Sequence, residues 1–371
     1  MQPGCTGLRP FKGALTVDLI ASVVLAHHPR YYGFMSNTAK RRWSRELESE
    51  VDGLAFSTTG PVLLHGYDPP AGGKWVDDVI PGKLGAFDRS TGERLWLVPC
   101  EIGYGRGFGA GIVSDSHVIV VGPSASGHRI VRQSLRDGEL QDTENIPAFD
   151  YCVVNSECVL LSTGRSVMYI DSLTLIESWT YSREGERYHD VAFVDGRVFV
   201  VYSVDKGYGI LEIDREMGDF LRVIVQPVQK PIRDLCGTAG VLMYLGSELD
   251  RLLSADRAGE LASAIALHKD MGARDTQSLV AVDLKRVGDL RWFDVLETCP
   301  TDDLPDISIV ADGGKLYLSR RAMLTARDAV TGRNLGDWTV PGLDEKVGFS
   351  VAAGAGLLGE ETRVSLFELP A

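Results

Sequence analysis

Seven histidines and six cysteines are the side chains in this 371-residue sequence best suited to hold a metal or act as nucleophiles. None of the histidines has the spacing of a metal motif such as H-E-x-x-H. His27, His28 and His65 each end a predicted second strand, so they are candidates to meet at one rim of the fold. The cysteines (Cys5, Cys100, Cys152, Cys158, Cys236, Cys299) include no C-x-x-C and no adjacent pair. They read as reduced, mostly buried thiols, with Cys152 and Cys158 flanking a predicted hairpin turn. The glycine run Gly103 to Gly111 lacks the G-x-x-x-x-G-K-[ST] of a phosphate cradle and does not lie between a strand and a helix. No Ser, His, Asp series can be assembled from sequence order. These residues predict no catalytic group, no metal and no cofactor.

The carboxylates point elsewhere. Asp88, Asp171, Asp214, Asp283 and Asp328 recur in one phrase, clearest in Ala86-Phe87-Asp88-Arg89-Ser90-Thr91-Gly92-Glu93-Arg94-Leu95-Trp96. It reads as strand, tight turn, strand. The Asp and Thr side chains can bond backbone N–H groups, and Gly92 tolerates positive φ. An aspartate that returns from unit to unit is a turn device. Trp43, Trp96, Trp179, Trp292 and Trp338 follow the turns at similar spacing and are expected between neighbouring units. Counting degenerate copies at Leu135-Arg136-Asp137-Gly138 and Val364 to Glu368, the phrase occurs eight times.

Eight units in 371 residues fit the ~40–50 residues of a four-stranded propeller blade. The expected fold is therefore all-β, a single eight-bladed β-propeller over 1–371, with seven blades as the alternative. Four strands over Ala14 to Leu47 form the first expected blade. The last unit has three strands, Phe349 to Ala352, Leu357 to Gly359 and Val364 to Leu369. An open sheet edge invites aggregation, so residues 1–13 are expected to close that blade. Two long insertions join second to third strands. Gly66 to Lys83 carries Tyr67 and Trp75, and 246–277 carries a helix expected over Ser254 to Met271, with Ala258, Leu261, Ala262 and Ile265 on one face.

The Ala-x-Asp-x-x-Thr-Gly turn followed by Trp resembles the repeat of the pyrroloquinoline-quinone-type propeller superfamily. It is sharpest at Ala86 to Trp96, Asp171 to Trp179, Asp283 to Trp292 and Asp328 to Trp338. The resemblance implies that each Trp locks one blade onto a small residue of the next. It includes exported quinoprotein dehydrogenases, which use a quinone, calcium and often a Cys-Cys pair, and a non-catalytic outer-membrane assembly lipoprotein. This sequence has no Cys-Cys pair, and its N-terminus shows no apolar signal region.

A non-catalytic protein-binding scaffold is thus the expected function. A quinoprotein-like oxidoreductase or a small-ligand binder using the axial channel is the alternative. Tyr67, Trp75, His27, His28 and His65 are the candidate binding residues on the loop-decorated face. The net charge of −13 disfavours nucleic acid, and no apolar run approaches a membrane span. The expected partner is a protein, the expected state a monomeric ring, and the expected location the cytoplasm.

Overall fold

Each blade is built around a second strand with a buried, mainly apolar middle, which in several blades is one unbroken apolar run. Val118 to Val121, Val198 to Val201 and Val241 to Leu245 are examples, and all are buried. A strand buried on both faces has no need to alternate. Outer strands do alternate: along Glu177–Tyr181 only Trp179 and Tyr181 are buried. The computed structural model describes residues 37–56, 60–67, 80–104, 109–113, 116–205, 207–229, 231–246, 277–286, 289–296, 307–320, 322–343 and 348–369.

These residues form seven sheets whose blades are antiparallel; the first five are consecutive in the chain, and the last two each take in a strand from near the other end. The first blade comprises Glu50–Phe56, Val62–Tyr67, Ile80–Phe87 and Arg94–Tyr104. The second runs from Gly109 to Ile146, the third from Tyr151 to Tyr181, the fourth from Glu186 to Val228, the fifth from Arg233 to Leu296 and the sixth from Ile307 to Thr339. The seventh combines Gly348–Ala352, Ala355–Glu360 and Arg363–Glu368 with an outer strand from the other end of the chain, Lys40–Glu46.

The ring therefore has seven blades, and the expected eight is corrected. Two of the eight repeat copies are halves of one blade. Trp43 lies on a strand paired with Arg363–Glu368, in register Trp43↔Leu366 and Glu46↔Arg363. The C-terminal unit lacked only an outer strand, and the Trp-bearing strand of the first copy supplies it. The expected strands between Ala14 and Met35, and the segment 1–13, lie outside the described residues. So does Ser254 to Met271. The described residues are all-β and contain no α-helix, so they give the expected helical insertion no support.

Inter-blade locks follow the repeat. The Asp88 carboxylate accepts the backbone N–H groups of Ser90 and Thr91, both at 2.8 Å. Hydrogen bonds from the Ser90 hydroxyl and these amides pull its pKa down to about 2. Asp171, Asp214, Asp283 and Asp328 each accept two turn amides in the same way. The turn presents Gly92 at φ +70° beneath the Trp43 ring of the preceding blade, and a Cβ there would stand 2.6 Å from the indole. Trp43 Nε1 donates to Arg89 O at 2.9 Å. Trp96 on Leu135 O, Trp179 on Arg215 O and Trp292 on Ala329 O repeat the arrangement. Trp43, Trp179, Trp292 and Trp338 are buried, and Trp96 is partly covered.

Where the repeat lapses, the junction is built differently. The third blade has Leu175 at the glycine position, at φ +59°, with its side chain buried in a cluster that includes Ile119, Val121 and Ile130 of the second blade. Between the fourth and fifth blades, Arg222 replaces the tryptophan. There Arg197 pairs with Glu212 and donates to Leu284 O at 3.2 Å across the junction. Trp338 of the sixth blade faces no hairpin turn, because the seventh blade joins its outer strands through chain closure. Instead Asn37–Thr38 pairs in parallel with Trp338–Thr339, and Ala39 packs in the same cluster.

Inner strands crowd the axis. A Cβ on Gly111 would stand 2.8 Å from the carbonyl oxygen of Val154 in the next blade. Gly111→Ala is expected to cost about 1–3 kcal/mol in denaturant unfolding, the price of overpacking. Adding Val154→Ala should not restore it fully, because the carbonyl remains; an unchanged midpoint for Gly111→Ala would contradict this packing.

Candidate functional site

A groove of about 350 Å³ opens at the ring's closure, between the seventh blade's outer strand and the first blade. One wall is the segment Arg45 to Val51, where the chain leaves the outer edge of the last blade for the inner strand of the first. The opposite wall comes from Leu64, Gly85, Phe87 and Leu97 of the first blade. The floor stays open because Gly85 has no side chain; a Cβ there would press on Leu97 and Phe87, each at 3.1 Å. Val51, Leu64 and Phe87 are buried, while Leu97 is 41% exposed.

The rim is charged. Arg45 is spent on the first blade's turn, donating to Gly92 O and Thr91 O, both at 2.9 Å. Glu46 pairs with Arg363 at 2.5 Å, and Glu50 accepts the Tyr67 hydroxyl at 2.6 Å. Exposed Glu48, Glu93 and Arg94 complete the rim and have no ion partner among the described residues. The result is an apolar slot with both signs of charge at its lip. Such a surface suits binding through an apolar anchor with polar contacts around it.

Of the predicted site residues, His65 and Tyr67 are described. His65 lines the groove but is itself 1% exposed, with Nε2 2.9 Å from Ile102 O on the outer strand of its own blade. Tyr67 is buried and holds Glu50. Both brace the wall rather than project from it. His27, His28 and Trp75 lie outside the described residues. Sequence reasoning passed over Leu97 and the segment Arg45 to Val51. The signal was present: Leu95-Trp96-Leu97-Val98 is apolar on both faces, where an outer strand facing one neighbour should alternate.

A second group of polar residues lies on the inner strands of the third, fourth and fifth blades. Asp190 is pushed up to about 6 by burial, against the opposing backbone hydrogen bonds from Leu235 and Val191. Its contribution to stability is thus present below its unfolded pKa and lost as pH rises toward 6. His189 is held below its usual pKa by burial and then by Arg187, and its Nε2 lies 2.8 Å from the Ser203 hydroxyl. Burial raises the thiols of Cys152 and Cys158 to about 12 and about 11. Both are therefore poor nucleophiles near neutral pH. Among the described residues no His, Cys, Asp or Glu group could hold a metal ion.

Seven four-stranded blades closed by a strand from the opposite end of the chain make this protein a β-propeller. The fold is similar to that of several solved structures. The WD40 β-propeller domain of Doa1 matches with a TM-score of 0.56 at 10% identity, over 90% of this chain and 98% of that one. Hydrazine synthase from Kuenenia stuttgartiensis matches at 0.58 and 9% identity, over 87% and 97%. BamB from Moraxella catarrhalis matches at 0.47 and 16% identity, over 90% and 100%. At such identities the likeness speaks to the fold alone. No protein-family model matches the chain, and no curated protein matches it. No helix among the described residues is long and apolar enough to cross a membrane.

Proposed function

We propose that this propeller is a non-catalytic scaffold that binds a protein partner, with the closure groove as part of its recognition surface. The observation that carries this reading is the exposed Leu97 above an apolar floor, ringed by Glu48, Glu93 and Arg94. A partner that inserts an apolar side chain there contacts the last and the first blade at once, since the walls come from Arg45 to Val51 and from the first blade.

A photo-crosslinking residue at Leu97 is expected to capture a protein partner that the same residue at Leu335, exposed on the sixth blade, does not capture. Leu97→Arg should weaken capture by about 2 kcal/mol or more, as for a lost anchor. Its unfolding midpoint should stay within about 0.5 kcal/mol of the parent, as for a surface change. Identical capture at both positions, or capture indifferent to Leu97→Arg, would remove the groove from the recognition surface.

A further inference from the structure

The hairpin turns between third and outer strands stand at equivalent rim positions in every blade that has one. In the first blade the turn carries Ser90, Thr91, Glu93 and Arg94, all polar. At the same positions the third blade has Leu173 for Ser90 and Ile176 for Glu93, and the fourth has Met217 for Thr91 and Phe220 for Arg94. All four are exposed, Ile176 at 67% and Met217 at 71%. The exchange works against the turn itself. Thr91 donates its hydroxyl to Asp88 and receives the Glu93 amide, and Met217 can do neither for Asp214. Apolar side chains have thus been placed where local folding favours polar ones, which is the mark of a surface kept for contact.

The two turns are neighbours. Trp179, which follows the third blade's turn, lies over Gly218 of the fourth blade's turn and donates to Arg215 O at 2.7 Å. The charges around them are lopsided. Arg215 is paired with Glu157 at 2.5 Å, Arg183 with Glu186 at 3.3 Å, and Arg222 with Glu212 at 2.6 Å. Exposed Glu177, Glu216 and Asp219 have no cation beside them among the described residues. The local cations are taken and the local carboxylates are left over.

We infer that this stretch of rim, over the third and fourth blades, is a docking surface for a basic amphipathic segment of a protein partner. Its apolar side would cover Leu173, Ile176, Met217 and Phe220, and its lysines or arginines would meet Glu177, Glu216 and Asp219. Charge complementarity selects this occupant over an acidic segment or an anionic lipid surface. The inference rests on the scaffold reading for the existence of a partner but uses a different part of the ring from the closure groove.

The probe is a short fluorescent peptide of leucine and lysine with amphipathic spacing, read by anisotropy against the full chain. Its leucine–glutamate counterpart and vesicles of anionic lipid are the comparison. The leucine–lysine peptide is expected to bind, to weaken as salt is raised, and to lose at least about tenfold in affinity, one anchor's worth, on Leu173→Ser, Ile176→Glu and Met217→Thr together. Those substitutions install the residues that the first blade already carries, so the turns should hold. Glu216→Lys with Asp219→Lys is the independent variant and should cost a similar factor without touching the apolar residues. Leu97→Arg should leave this peptide's affinity unchanged, which separates failure here from failure of the groove. Equal affinity for parent and variants, equal binding of the leucine–glutamate peptide, preferential binding of the vesicles, or sedimentation showing that the triple variant dissolves a self-associated form would each overturn the inference.

Discussion

A chain that begins at Leu47 is expected to lose cooperative folding, with a stability loss of more than about 5 kcal/mol out of the ~5–15 typical of a domain. Removing residues 1–46 takes away the outer strand of the seventh blade, Lys40–Glu46, and the residues that cover Trp338. Trp43 is the largest single part. It is buried against Val62, Leu64 and Phe87 of the first blade and Leu366 of the seventh, and Trp43→Ala alone should cost about 3–5 kcal/mol. The truncation also bares the edge of Arg363–Glu368 and removes Arg45, whose guanidinium ties the last blade to the first. A synthetic peptide of residues 37–46 should restore part of the transition, with a midpoint that rises with peptide concentration. A truncated chain that melts like the parent would show that closure does not depend on this strand.

The same strand shows what the sequence makes legible. The turn phrase is visible because its physics is local: an aspartate that collects two turn amides, a glycine at positive φ, and a tryptophan a fixed distance on. Enough of these features survive from copy to copy for the propeller to be read from residues alone, whereas the sequence places the closing strand in residues 1–13 and the strand that pairs with Arg363–Glu368 is Lys40–Glu46. The blade count could not be read either. A repeat split between the two ends of a chain looks like two repeats, and only the pairing of Lys40–Glu46 with Arg363–Glu368 reveals the two as one. The change from eight to seven also alters the surface. The two long insertions leave from the first and fifth blades, so they are not diametrically opposed as an eight-fold ring would have placed them. Likewise His65 and Tyr67 stood out by type and position, but burial is set by tertiary packing. Gly85, which opens the groove, gives no sign of that role in the sequence.

Arg197→Met is expected to destabilise the ring by about 3–5 kcal/mol at neutral pH, the cost of leaving a buried carboxylate short of its partner. Glu212 is 3% exposed and sits on the third strand of the fourth blade. Arg197 reaches both of its oxygens, at 2.6 and 2.7 Å, and Arg222 adds a third hydrogen bond at 2.6 Å. Burial works to raise the Glu212 pKa, but the bonds from Arg197 and Arg222 outweigh it and hold the carboxyl below its ordinary value. The folded value is therefore depressed, so Glu212 stabilises the fold above the unfolded carboxylate range and loses that contribution as pH falls through the folded value. In Arg197→Met the balance shifts toward burial, and protonation relieves the unpaired charge. The gap between parent and variant should accordingly be widest near pH 7 and shrink as pH drops below about 4. Arg197→Met with Glu212→Leu should recover much of the loss, since an apolar pair of similar volume often matches a buried ion pair. Recovery should stay incomplete, because Arg197 also donates to Leu284 O at the junction where Arg222 stands in place of the repeat's tryptophan. A cost below about 1 kcal/mol, or a gap that does not change with pH, would mean that this junction is held by its apolar cluster alone.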